Sequence, residues 1–251
     1  MSTRRSAITA LVADALPGYA DPQALPHDLN AVAKALGVAD IRYVAREVHG
    51  FTDWSSDKPT VFLSISRSDG RRRFTLAHEC GHLMLGDEGQ RAQHNPLITP
   101  RILEDIELTC DAIAAEILIP FTWLDLFGKQ ITCLRQADHA ARHLRVSLST
   151  LVVRMGHWQT GPLMIQLQRA PDGEWMPVHR VGAPKPWRGP LTLAPHLMAA
   201  LEAAESGESI VDFDAINTGG ARLTGAADLR KRRSDQATLF LSSPHFDSAE
   251  S

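Results

Sequence analysis

Residues 74–86, FTLAHECGHLMLG, constrain this chain more than any other stretch, because they set His78, Glu79 and His82 in the order H-E-x-x-H. On an α-helix, residues four apart stand one turn above each other, about 6 Å along the axis at 1.5 Å per residue, so both imidazoles project from one face. Two neutral imidazoles so placed can hold one zinc ion; the other reading is a pair of core histidines with satisfied hydrogen bonds. Glu79, one position round the helix, cannot join them as a ligand in the same plane. It can reach a water on the open side of the metal, which is the place of a general base. Phe74, Ala77, His78, Gly81, His82 and Leu85 fall on one continuous face, so the ligands are expected on the buried side.

A catalytic zinc site needs a third protein ligand and an open fourth position. The extended form H-E-x-x-H-x-x-G-x-x-H is absent, since Leu85 stands at the glycine and Glu88 at the last histidine. The next helical stretch, residues 101–119, offers the carboxylates of Glu104, Asp105, Glu107, Asp111 and Glu116. Its apolar stripe runs Leu103, Ile106, Cys110, Ile113, Ala114, Ile117, with Glu107 on the edge. A carboxylate there calls for a partner, either a metal or an arginine. Glu107 is therefore the expected third ligand, and Asp111, one turn on, the group that holds a ligand histidine in its tautomer. Asp105, Thr109, Ala112 and Glu116 form the opposite face and read as solvated.

These two blocks, FTLAHECGHLMLG and then E-x-x-C-D-x-x-A-A-E-I-L-I-P from Glu107 to Pro120, resemble the ImmA/IrrE metallopeptidase family. The family pattern runs close to FTLAHELGHLLL followed by E-x-x-A-N-x-F-A-A-x-L-L-M-P, and the specific likeness covers about residues 59–120. Cys80, Cys110, Asp111 and Ile113 depart from it, none of them at the four chemical positions. The resemblance implies a zincin-like fold, zinc bound by His78, His82 and Glu107, and a catalytic Glu79. It also implies a protein substrate, a repressor with an XRE-type DNA-binding domain, whose cleavage gives derepression or a stress response.

With 251 residues, 44% hydrophobic and 22% charged, the chain has the composition of a soluble globular protein, and a net charge of −3 makes no global case for nucleic-acid or membrane binding. The first residues carry two arginines before a short apolar run, but Asp14 interrupts it and no eighteen-residue apolar stretch exists. Cys80, Cys110 and Cys133 make an odd count with no paired spacing, which argues for reduced thiols and a cytoplasmic location. Cys110, three residues after Glu107, is expected to act as a small hydrophobe rather than a ligand.

The expected fold class is α+β. Helices are read at residues 5–17 and 28–36 and strands at 41–48 and 59–66, and Arg71, Arg72 and Arg73 then read as a solvated run before the metal helix. Residues 87–100 should loop over the site, where His94 is either a surface histidine or a group that polarises a substrate carbonyl. Helices at 134–144 and 148–158 resemble a helix-turn-helix, with Ser147 as N-cap. Only Arg135, Arg142, Arg145 and Arg154 supply charge there, and the second helix presents Leu151, Val152 and Val153. A packing or protein-docking role is therefore expected in place of specific DNA reading. His139 and His143 read as surface residues.

From residue 161 the pattern changes to a hairpin at 162–169 and 174–181 around Pro171-Asp172-Gly173, a helix at 194–205, strands at 209–213 and 237–241, and a disordered tail at 242–251. This predicts a zinc metallopeptidase domain at 1–130, a helix-turn-helix-like segment at 131–160, and a small α+β domain at 161–251, similar to a GAF-like sensor. The rival reading is a non-proteolytic regulatory protein that binds DNA or a repressor through residues 134–158.

Overall fold

The computed structural model describes residues 3–19, 21–45, 50–86, 99–158, 162–182, 191–204, 207–217, 222–233 and 235–247. The fold is α+β, as expected, with a small zincin-like domain and a C-terminal α+β region. The chain divides into two compact units, residues 1–127 with 141–147, and residues 128–140 with 148–251. The expected boundaries at 130 and 160 differ from these units in the helical segment, whose residues fall in both.

The first unit begins with α1 (Thr3–Ala15) and α2 (Leu29–Ala35), the latter capped by the Asp28 carboxylate, which accepts from the backbone N–H of Asn30 and Ala31. A three-stranded sheet follows, β1 (Asp40–Val44), β2 (Gly50–Asp53) and β3 (Thr60–Ser64), in the order β1-β3-β2. β1 runs parallel to β3 and β2 antiparallel to it. Val61 and Leu63 of β3 point into the core, while Phe62 stacks on Phe51 of β2 at 4.7 Å between ring centroids. The strand β2 is absent from the sequence expectation.

Next come α3 (Asp69–Met84), α4 (Pro100–Leu118) and α5 (Phe121–Phe127). Pro100 opens α4 at a position where its missing N–H is no loss. The close approach of α3 to α4 depends on Gly81: a Cβ there would lie 3.0 Å from the Cys110 Cα and 3.1 Å from its Cβ. The buried face of α3 is wider than expected and takes in Arg73, Leu76, Glu79 and Cys80, with Phe74 and Leu85 only half-buried. Arg73 thus departs from the expected solvated run and donates to the His27 carbonyl at 3.1 Å. Glu116 departs further. Its side of α4 is covered by α1, so it is fully buried and accepts from Tyr19 Oη at 3.0 Å and Thr9 Oγ1 at 3.2 Å. At the other end of α4, Leu103 is exposed, so the apolar stripe is buried only from Cys110 onward.

The helical segment forms α6 (Leu134–His143) and α7 (Leu148–Trp158), joined through Arg145 with a positive φ of 54°. His139 and His143 are exposed. Leu151, Val152 and Met155 of α7 are buried inside the second unit, where α7 packs on β4 and β5.

That unit is built on an antiparallel sheet of β4 (Leu163–Arg169), β5 (Trp175–Val181), β6 (Leu191–Leu193), β7 (Gly207–Asn217), β8 (Arg222–Arg233) and β9 (Gln236–Leu241), in the order β5-β4-β9-β8-β7-β6. Helix α8 (Pro195–Ala203) lays Leu197 and Leu201 on one face of it, in an apolar cluster with Ile165, Phe213, Leu229 and Leu239. The hairpin turn holds Gly173 at a φ of 94°, which favours glycine. β6 and β8 were not expected. The tail corrects another expectation, because β10 (His245–Asp247) pairs antiparallel with β8; residues 248–251 lie outside the described residues.

Candidate metal centre

Helix α3 supplies His78 and His82 one turn apart, and α4, packed against it at Gly81, supplies Glu107. His78 Nε2 lies 3.2 Å from His82 Nε2 and 3.1 Å from Glu107 Oε2, and His82 Nε2 lies 3.6 Å from Glu107 Oε1. The structure therefore brings together the three residues expected from sequence, the one His/Cys/Asp/Glu group suited to a metal among the described residues. His94 and Glu88 lie outside the described residues.

The donor set can be tested against a metal on its own hydrogen bonding. Asp111 Oδ1 sits 2.8 Å from His78 Nδ1, and an ionised carboxylate only accepts, so Nδ1 carries the proton. In the neutral ring Nε2 is then a bare lone pair, facing the equally electron-rich Glu107 carboxylate. Two acceptors at that distance repel unless a positive charge lies between them. Ligands at zinc bond lengths and tetrahedral angles stand about 3.3 Å apart, which the three edges of this triangle match. Two imidazoles and a carboxylate also form a donor set that zinc takes in hydrolytic sites. The residues present fit the ion.

Charges around the triangle favour a positive charge there, a proton on His78 in the metal-free chain or a metal ion in its place. Burial alone would push the His78 imidazole's pKa down, but Asp111, with Glu79 and Glu107, outweighs it and holds the group above its ordinary value. His82 is pushed down by burial and by His78 beside it, and its Nδ1 is buried without a hydrogen-bond partner among the described residues. Burial pushes the Cys80 and Cys110 thiols up to about 12, which disfavours the thiolate a metal would need.

Glu79 stands apart from the triangle. It is 4% exposed, and burial raises its carboxyl above the usual range against the pull of a hydrogen bond from Thr52 Oγ1 at 2.6 Å. Sequence reasoning missed Thr52. No local signal marks it, because it meets Glu79 across 27 residues from a strand too short to show alternation.

Residues 33–155 match the Peptidase M78 family, described as the IrrE N-terminal-like domain. That stretch is a domain of the ImmA/IrrE family. Its membership indicates a peptidase, and the clustered His78, His82 and Glu107 accord with the metal dependence of that family. Among solved structures the chain is similar to a Mycobacterium tuberculosis transcriptional regulator, with a TM-score of 0.57 and 12% identity, over 96% of this chain and 77% of that one. At that identity the likeness speaks to the fold alone. No curated protein matches the chain. No described helix is long and apolar enough to cross a membrane.

Proposed function

We propose that this chain is a zinc-dependent endopeptidase whose substrate is a protein, an XRE-type transcriptional repressor, and that cleavage relieves repression in a stress response. The observation that carries the reading is the convergence of His78, His82 and Glu107 on one point, with the buried carboxylate of Glu79 on the next position of the same helix.

His78, His82 and Glu107 would hold the metal, and Asp111 keeps the His78 ring turned with Nε2 toward it. Zinc bound there supplies Lewis acidity, which makes water ionise near neutral pH and draws charge from a scissile carbonyl. Glu79 takes the proton of the attacking water and returns it to the departing amine. Burial suits it to both halves of that task, since a carboxyl with a raised pKa both accepts a proton and keeps it long enough to deliver it. The free cysteines support action in the cytoplasm, where thiols stay reduced. In this proposal residues 1–130 are the peptidase domain, 131–160 the connecting helical segment, and 161–251 a GAF-like sensor; an antiparallel sheet carrying one helix supports the last.

The test is incubation of the full chain with an XRE-type repressor encoded beside it. Cleavage with zinc, none after chelation, recovery on adding zinc back, and a loss of roughly 10²–10⁴-fold in Glu79→Gln are expected. An intact repressor with fully loaded protein, or normal derepression in a Glu79→Gln strain, would favour the non-proteolytic regulator instead.

A further inference from the structure

Thr52 is a polar side chain at a position where a strand calls for an apolar one. It faces inward from β2, opposite Val61 of β3, and is only 3% exposed. A buried hydroxyl is costly without a partner, and valine would fill the same volume without that cost. The partner is Glu79 Oε2, 2.6 Å away, an ordinary distance for a hydroxyl donating to a carboxylate.

The backbone is arranged to make this contact. Gly50, two residues earlier on β2, comes so close to α3 that a Cβ there would run into the Thr75 side chain of that helix, and it would stand 3.0 Å from the Phe62 carbonyl oxygen of β3. The missing side chain lets β2 lie against the helix that carries Glu79 without displacing Thr75. Threonine is also β-branched, so its hydroxyl direction is largely set by the strand. A glutamate has three side-chain torsions, and a misplacement of about 1 Å in a catalytic group can cost on the order of 10²-fold in rate.

We propose that Thr52 is a positioning residue for Glu79: its hydroxyl holds Oε2 and thereby fixes the carboxylate so that Oε1 serves the reacting water. This rests on the peptidase reading above. The anchor comes from the sheet, so the base is set by an element other than the two helices that supply the metal ligands.

The test compares Thr52→Val, which keeps shape and removes the hydroxyl, with Thr52→Ser, which keeps the hydroxyl. The zinc-loaded full chain is assayed on the best-cleaved member of a quenched-fluorescence peptide library. Thr52→Val should lower kcat by ~10–100-fold with KM and zinc content unchanged, and Thr52→Ser should restore kcat to within about threefold. Adding Thr52→Val to Glu79→Gln should cost nothing further, since the group being positioned is gone. A second readout uses the metal-free protein with ¹³C-labelled glutamate, the Glu79 carboxyl signal being the one lost in Glu79→Gln. That signal should move in Thr52→Val and return in Thr52→Ser. If the valine variant does not fold, Thr52→Ala takes its place with the same expectations. Wild-type kcat, a loss confined to KM, or an unmoved signal would overturn the role of Thr52 while an inactive Glu79→Gln left the peptidase standing. A loaded wild-type chain that cleaves no library member would sink both.

Discussion

The two units of this protein bury different things. Of the eight buried polar or charged side chains among the described residues, Thr52, Ser64, Arg73, Glu79, His82 and Glu116 lie in the first unit, and only Arg154 and Thr238 in the second. Beyond an apolar core of the kind both units have, the second unit buries little that is polar; its core is a continuous cluster between its sheet and α8, from Leu163 through Phe213 to Leu241. Buried polar groups cost stability unless each finds a partner, so a small domain that carries so many is expected to have a use for them. In the first unit Glu79 and His82 belong to the site, Thr52 anchors Glu79, and Glu116 ties α4 to Tyr19 and α1. Both units have apolar cores, and the first also buries the polar groups that the chemistry needs.

That contrast can be broken by substitutions. The largest effect on stability is expected in the second unit, where Phe213→Ala leaves a cavity in the apolar cluster and should cost about 3–5 kcal/mol by thermal or chemical denaturation, with zinc content unchanged at room temperature. Loss of zinc in that variant would mean the two units are not separable in this way. A smaller effect is expected for Asp111→Ala, which frees the His78 ring and should weaken zinc binding by roughly 10–100-fold, measured by competition with a chelating dye. Unchanged affinity would show that the helices alone orient the ring. The smallest effect on stability is expected for His82→Leu in the metal-free chain. It removes a buried nitrogen with no partner among the described residues, so zinc binding should vanish while the metal-free melting temperature stays level or rises. A clear fall would place His82 among the groups that hold the unit together.

The site was more legible in the sequence than the fold around it. His78, Glu79 and His82 are a local pattern, and Glu107 and Asp111 follow from the period of the next helix, so their convergence needs only that α3 and α4 pack. Thr52 was not legible, because Gly50–Asp53 is four residues long, opens on a glycine, and gains its meaning from a helix elsewhere in the chain. Glu116 was misread for a related reason: periodicity within α4 shows which residues share a face, but not that α1 covers the polar one. β8 escaped because Arg222, Asp228, Arg230 and Lys231 interrupt its apolar residues, whose inward alternation appears only once β7 and β9 flank it. Tertiary pairing, not local preference, makes that segment a strand.

The central claim is that two histidines and a glutamate hold one zinc ion, with no sulfur and without Glu79. X-ray absorption at the zinc edge, on the full chain loaded with one equivalent, tests it most directly. Only nitrogen and oxygen neighbours, at about 2.0–2.2 Å, are expected for wild type and for Glu79→Gln alike, with zinc lost in Glu107→Ala. A sulfur neighbour at about 2.3 Å would put Cys110 or Cys80 among the ligands, and a changed spectrum in Glu79→Gln would make Glu79 a ligand; either result would contradict the account.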